Sequence, residues 1–210
     1  GGWEWDHCDK CPSGEGPTYV LWVVDSAMAA TAGCECAISL SCGEEVGEYF
    51  NQILLIATDI DDILDMDHAA GYLSGTSPIF IATWCKYCCE GSTTSVWRYD
   101  QEYWERVFVS TIFGDIDIDW VQISPDFDTT EAVFVANSVF DIFRSVDAGC
   151  SWKLMPFPCD PTTITAWVVI DEDTVLCAGA DDDAGTIFKT TRHGTRPWKE
   201  YEAKTIYDGL

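Results

Sequence analysis

Ser145-Val146-Asp147-Ala148-Gly149-Cys150-Ser151-Trp152, preceded by Asp141-Ile142-Phe143-Arg144 and followed by Lys153-Leu154-Met155, is the stretch that decides how the rest of the chain is read. Ile142 and Phe143 lead into a polar turn containing Asp and Gly, and Trp152 returns the chain to apolar surroundings, which is the pattern of strand, tight turn and strand. A short Asp side chain accepts hydrogen bonds from the turn's own N–H groups, and Gly149 permits a positive φ. Trp152 is large enough to pack beneath the hairpin. Asp147 and Trp152 are therefore expected to stabilise the fold and to do no chemistry, with Trp152 in the core.

Aligning the chain on this turn exposes a repeat. A strand ending in a small residue precedes the turn at 131–137, and the same sense recurs at 78–83, at 174–179 and more faintly at 27–31. An aromatic and basic pair follows in three of the four, as Trp97-Arg98, Phe143-Arg144 and Phe188-Lys189. A turn and an aromatic residue close the unit at Trp104, Trp152 and Trp198, with Tyr49-Phe50 as a weak first copy. The three tryptophans are 48 and 46 residues apart, the length of one four-stranded propeller blade. A further strand opens each unit, at 18–25, 61–66, 119–124 and 164–170.

The resulting expectation is an all-β chain, one propeller domain or fragment over 1–210, with repeat units at 15–57, 58–109, 116–158 and 162–204. Such a unit cannot bury both faces alone, so blades must stack, with Ala82, Ala136 and Ala178 where strands crowd. A sandwich of the same strands is the structural rival. The regular order of four strand types favours stacked blades.

Ser145, Asp147, Gly149, Ser151 and Trp152 in this order resemble the Asp-box, or BNR repeat, of β-propeller proteins such as sialidases, sortilin-type receptors, xyloglucanases and photosystem assembly factors. The resemblance is full at 143–152, degenerate at 188–198, where Arg192 replaces the Asp, and in outline around Trp97 to Trp104. It implies about four Asp-box blades belonging to a larger propeller. Sialidase chemistry implies an arginine cluster, a Tyr nucleophile with a Glu partner, and an acid. The arginines here are Arg98, Arg106, Arg144, Arg192 and Arg196, and none lies in a Phe/Tyr-Arg-Ile-Pro motif, which argues against that activity. A xyloglucanase-like hydrolase implies two carboxylates about 5 to 9.5 Å apart across a cleft. With 36 acidic residues in the chain, no one pair stands out.

Composition narrows the partners. The formal charge of −25 is spread over the whole length, which predicts a solvated acidic surface and argues against nucleic acid. No apolar run approaches the roughly 20 residues that span a bilayer, so no membrane span is expected. Eleven cysteines in a chain with 47% apolar residues predict disulfides in an oxidising compartment, hence an extracellular or cell-surface protein. The candidates are Cys8, Cys11, Cys34, Cys36, Cys42, Cys85, Cys88, Cys89, Cys150, Cys159 and Cys177, and spacing leaves their pairing open. Cys8-x-x-Cys11 and Cys85-x-x-Cys88 admit a zinc site as the alternative.

Asp115-Ile116-Asp117-Ile118-Asp119 alternates strictly, so an extended chain would put three carboxylates on one face, a set suited to calcium. A solvated strand face accounts for the same pattern. His7, His68 and His193 are too isolated for a triad, and no nucleotide loop or nucleophile elbow is present. Tryptophans outside the repeated position leave carbohydrate stacking open. The repeat frame does not coincide with the chain ends: Gly2-Trp3-Glu4-Trp5-Asp6 reads as the last strand of a unit, and 204–210 as the opening of another. The expectation is part of a longer polypeptide or polymer, with the N-terminal strand paired outside a self-contained four-blade ring. Functionally, these readings favour a non-catalytic module with protein partners or self-assembly, in a cell-surface layer or extracellular filament. A secreted glycoside hydrolase is the rival.

Overall fold

The computed structural model describes residues 7–14, 16–23, 25–33, 35–43, 46–70, 77–86, 92–155, 163–181, 184–190 and 199–202. The expectations placed on Gly2 to Asp6, Cys34, Cys88, Cys89, Cys159, Arg192, His193, Arg196, Trp198 and 204–210 lie outside the described residues. The chain divides into two compact units, Gly1–Asp115 and Ile116–Leu210.

In the first unit, β1 (Thr18–Val23), β2 (Ser26–Thr31), β3 (Cys36–Cys42) and β4 (Asn51–Ile56) form one antiparallel meander. β5 (Asp62–His68), β6 (Ile79–Cys85), β7 (Thr93–Tyr99) and β8 (Trp104–Val109) form the next. The side-chain alternation of β1 turns Tyr19, Leu21 and Val23 inward and leaves Val20 and Trp22 exposed. Met28, Ala30, Cys36, Ile38 and Ile56 of the first sheet meet Ile63, Met66, Ile79 and Ile81 of the second in one core. β2 is buried at every residue, and its run of small side chains suits a strand covered on both faces. The two sheets are also tied by main chain, since Gly33 N–H donates to Ile60 O (2.8 Å) and Ile60 N–H to Gly33 O (3.0 Å).

The second unit repeats the plan. β9 (Trp120–Ile123), β10 (Val133–Ala136), β11 (Ile142–Ser145) and β12 (Lys153–Met155) make one meander. β13 (Thr163–Asp171), β14 (Thr174–Asp181), β15 (Ala184–Lys189) and β16 (Lys199–Glu202) make the other. Phe134, Ala136, Phe140, Ile142 and Met155 pack on Ile164, Val169, Val175, Cys177 and Phe188. Gly179 is required by close approach, because a Cβ there would fall 2.5 Å from Thr163 O and 2.8 Å from the Phe140 ring. The architecture is all-β, four four-stranded antiparallel meanders of the propeller-blade type.

Two expectations are corrected. Trp152 is partly exposed rather than fully buried. Tyr49-Phe50 keeps its place in the repeat, since Phe50 stands immediately before β4 as Trp152 stands before β12, while Tyr49 bridges Lys10 in parallel. Residues 115–119 are not a strand, because Gly114 (φ 81°) and Asp115 (φ 59°) are successive left-handed residues that break the extended chain. The segment 36–42 is a strand with Cys36 in the core.

Phe134 and Trp152 test this placement within one unit. Phe134→Ala should cost about 3 to 5 kcal/mol, as for a fully buried ring, and Trp152→Ala less, because part of its surface stays in solvent. Urea denaturation of both variants would measure the difference, and equal losses would return Trp152 to the core.

Candidate functional site

The 145–152 turn is closed by side chains standing in for main chain. Ser145 Oγ accepts from Gly149 N–H (2.8 Å) and Asp147 N–H (3.3 Å) and donates to Asp147 Oδ1 (2.7 Å). Asp147 Oδ1 also accepts from Ser151 N–H (2.8 Å), and its Oδ2 accepts from Ser151 Oγ–H (2.6 Å). Gly149 holds φ 90°, a conformation that glycine adopts without a Cβ penalty, and Ala148 beside it sits at φ 53°. Burial opposes ionisation of Asp147, but the hydrogen bonds from Ser151 and Ser145 outweigh it and hold the carboxyl below its ordinary value. A carboxylate saturated by donors in this way is poorly suited to take a substrate proton.

A second group of polar side chains joins neighbouring sheets within each unit. In the first, Tyr19 on β1 donates its hydroxyl to Asp65 Oδ1 on β5 (2.6 Å), and Asp65 also accepts from Met66 N–H (2.9 Å). Burial and the Asp65 carboxylate push the Tyr19 hydroxyl well above its ordinary pKa. In the second, Gln122 on β9 accepts from Val169 N–H (2.8 Å) and donates to Trp167 O (3.5 Å), extending β13's hydrogen bonding by one side chain. Arg144 on β11 donates Nε–H to Glu172 O (2.8 Å), approaches the Glu172 carboxylate at 3.5 Å, and lies 5.9 Å from the Phe134 ring centroid. The basic member of the repeated aromatic–basic pair thus reaches the β13–β14 turn of the next sheet.

Most acidic candidates act as turn acceptors. Asp119 Oδ2 accepts from Ser138 N–H (2.7 Å), Asp61 Oδ2 from Lys86 N–H (2.6 Å), and Asp100 Oδ1 from Glu102 and Tyr103 N–H (3.1 and 3.2 Å). Asn137 donates to Asp141 Oδ2 (2.9 Å) and accepts from Asp141 N–H (2.8 Å), shaping the turn that places Phe140 at φ 73°. Among the described residues, no three His, Cys, Asp or Glu side chains gather at metal-holding geometry. The calcium set Asp115, Asp117 and Asp119 is accordingly not assembled: the strand it required is absent, and Asp119 caps a loop.

The described cysteines divide into two kinds. Cys8, Cys11, Cys36, Cys42, Cys150 and Cys177 are thiols rather than half-cystines, whereas Cys85 is disulfide-bonded. Burial pushes the Cys36 and Cys177 thiols up to about 12, so both serve as small apolar core residues. Cys8 and Cys11 are side by side near the surface, with their sulfurs 3.1 Å apart. Sequence reading did not single out Tyr19, Asp65 or Gln122. The available signal existed for Gln122 alone, one polar side chain within an otherwise apolar strand, whereas Asp65 sits in a strand with several other polar residues.

No protein-family model and no curated protein matches the chain. Among solved structures it is similar to a GH74 enzyme of Niastella koreensis, with a TM-score of 0.55 and 14% identity over 84% of this chain. The match spans 28% of the length of that enzyme chain. At this identity the likeness speaks for the fold, a β-propeller. No helix among the described residues is long and apolar enough to cross a membrane.

The depressed Asp147 carboxyl gives a pH-dependent test. Its stabilisation is present above the unfolded-chain value of about 3.9 and is lost as pH falls through the lower folded value. Asp147→Asn should therefore lower the melting temperature at pH 7, with the gap from the parent narrowing below about pH 4 as the parent loses its own charge. A gap of the same size at pH 7 and pH 3, in melts followed by circular dichroism, would show that the charge does not matter.

Proposed function

We propose that this chain is a non-catalytic β-propeller module of the extracellular space, a structural or binding element in a cell-surface layer or filament. The observation that carries this reading is the use of its carboxylates. Asp61, Asp100, Asp119 and Asp147 each accept hydrogen bonds from backbone N–H groups of turns. In this reading the 145–152 turn is an Asp-box whose Ser145, Asp147, Gly149 and Trp152 serve the fold. Association is supported by apolar side chains left in solvent on sheet surfaces, among them Val20 and Trp22 on β1 and Val168 and Ile170 on β13. Dispersed negative charge keeps such a surface soluble until a partner covers it.

A secreted glycoside hydrolase is the second reading, and one residue favours it. Asp65 is a buried carboxylate on the first strand of its sheet, hydrogen-bonded to Tyr19, in a fold shared with a GH74 enzyme. The two readings separate on turnover. The full chain, assayed against a panel of polysaccharides and aryl glycosides, is expected to release no sugar. Hydrolysis that disappears in Asp65→Asn while the melting temperature holds would replace the module by the hydrolase.

A further inference from the structure

Residues 8–14 and 16–17 lie along the first sheet as a strap, and polar contacts hold it at several points. Lys10 N–H donates to Glu48 O (3.0 Å), and Phe50 N–H to Lys10 O (2.9 Å). Lys10 Nζ donates to Asn51 Oδ1 (2.7 Å), and Tyr49 donates its hydroxyl to Asp9 Oδ2 (2.6 Å). Farther along, Ser13 N–H donates to Ser39 Oγ (3.3 Å), and Gly16 N–H to Ala32 O (3.1 Å). Gly14 fits because it lacks a side chain: at φ +117° a Cβ would lie 2.4 Å from Thr31 Cγ2.

The two residues between Cys8 and Cys11 are thus the ones clamped to 48–51. That clamp fixes the main chain of the loop and presents both thiols together, Cys11 exposed and Cys8 half-exposed. Their sulfurs, at 3.1 Å, need to close by only about 1 Å to reach the bonded separation. Neither thiol has a structural role in an apolar core of the kind that Cys36 and Cys177 have.

We propose that Cys8 and Cys11 are a redox-active dithiol, a modification site that exchanges with a low-molecular-weight disulfide. One thiolate attacks a sulfur of the external disulfide, forming a mixed disulfide and expelling one external thiolate. The other cysteine then attacks the protein sulfur of that bond and expels the second. The protein dithiol loses two electrons and two protons; the external disulfide gains them as two thiols. The ring closed by a Cys-x-x-Cys pair is short, and loop-closure entropy grows with ring size, so the bond alters the strap locally and adds less stability than a long-range disulfide would. The hydrogen bond between the thiols raises the Cys8 value, so exchange should accelerate as pH rises toward the thiol range.

The test uses the full chain, reduced, freed of reductant and metal under inert gas, then incubated with oxidised glutathione and alkylated before peptide mapping. The expected result is loss of two alkylatable thiols, recovered as a Cys8–Cys11 disulfide, with no stable glutathione adduct on either residue. Cys11→Ser should instead accumulate a glutathione mixed disulfide on Cys8, because the resolving thiol is gone; a merely structural cysteine would not change the product in this way. Alkylation of both thiols after incubation, a persistent adduct in the parent, or pairing of either residue with another cysteine would overturn the proposal. So would retention of one equivalent of zinc by the pair when the chain is isolated without chelator.

Discussion

A twisted four-stranded sheet has two faces, and a lone meander has nothing to dry either of them. Each unit of this protein meets that constraint by pressing two meanders together. Met28, Ile38 and Ile56 close on Met66, Ile79 and Ile81 in one unit, and Phe134 and Ile142 close on Val175 and Phe188 in the other. The burial of these faces is the principal gain of folding. It also dictates small side chains where strands are covered twice, as along β2, and a glycine at 179 where sheet, ring and carbonyl converge.

Sheets pressed face to face still need their edges registered, and polar side chains do much of that work. Gln122 offers an acceptor and a donor to β13, Tyr19 reaches Asp65 on β5, and Arg144 reaches the carbonyl of Glu172. These bonds share one logic: a side chain supplies the hydrogen-bonding group that a neighbouring strand would have supplied. Asp61, Asp100, Asp119 and Asp147 serve turns in the same manner, accepting from backbone N–H groups.

The cysteines follow from the same packing. Cys36 and Cys177 occupy inward positions of strands and behave as apolar side chains, whereas Cys8 and Cys11 lie on a strap held by main-chain and side-chain hydrogen bonds. One residue type is thus divided between a buried, unreactive role and a solvent-facing pair. Burial and neighbours, not count, decide which thiol can react.

The amino-acid sequence by itself determined the all-β class, the order of strand types within a unit, and the chemistry of the 145–151 turn. Those depend on local alternation and on turn residues within reach of one another, such as Ser145 and Asp147. Its signal failed where local pattern was weak or ambiguous: the Ala-, Ser- and Cys-rich β3 lacks a β-branched run, and Asp115 to Asp119 alternates without being a strand. Only the tertiary structure decided that Trp152 stays partly exposed, that Asp119 caps Ser138, and that Tyr19 meets a carboxylate 46 positions away. Such pairings depend on how distant strands lie in register and which face each sheet buries, quantities that no local window of residues contains.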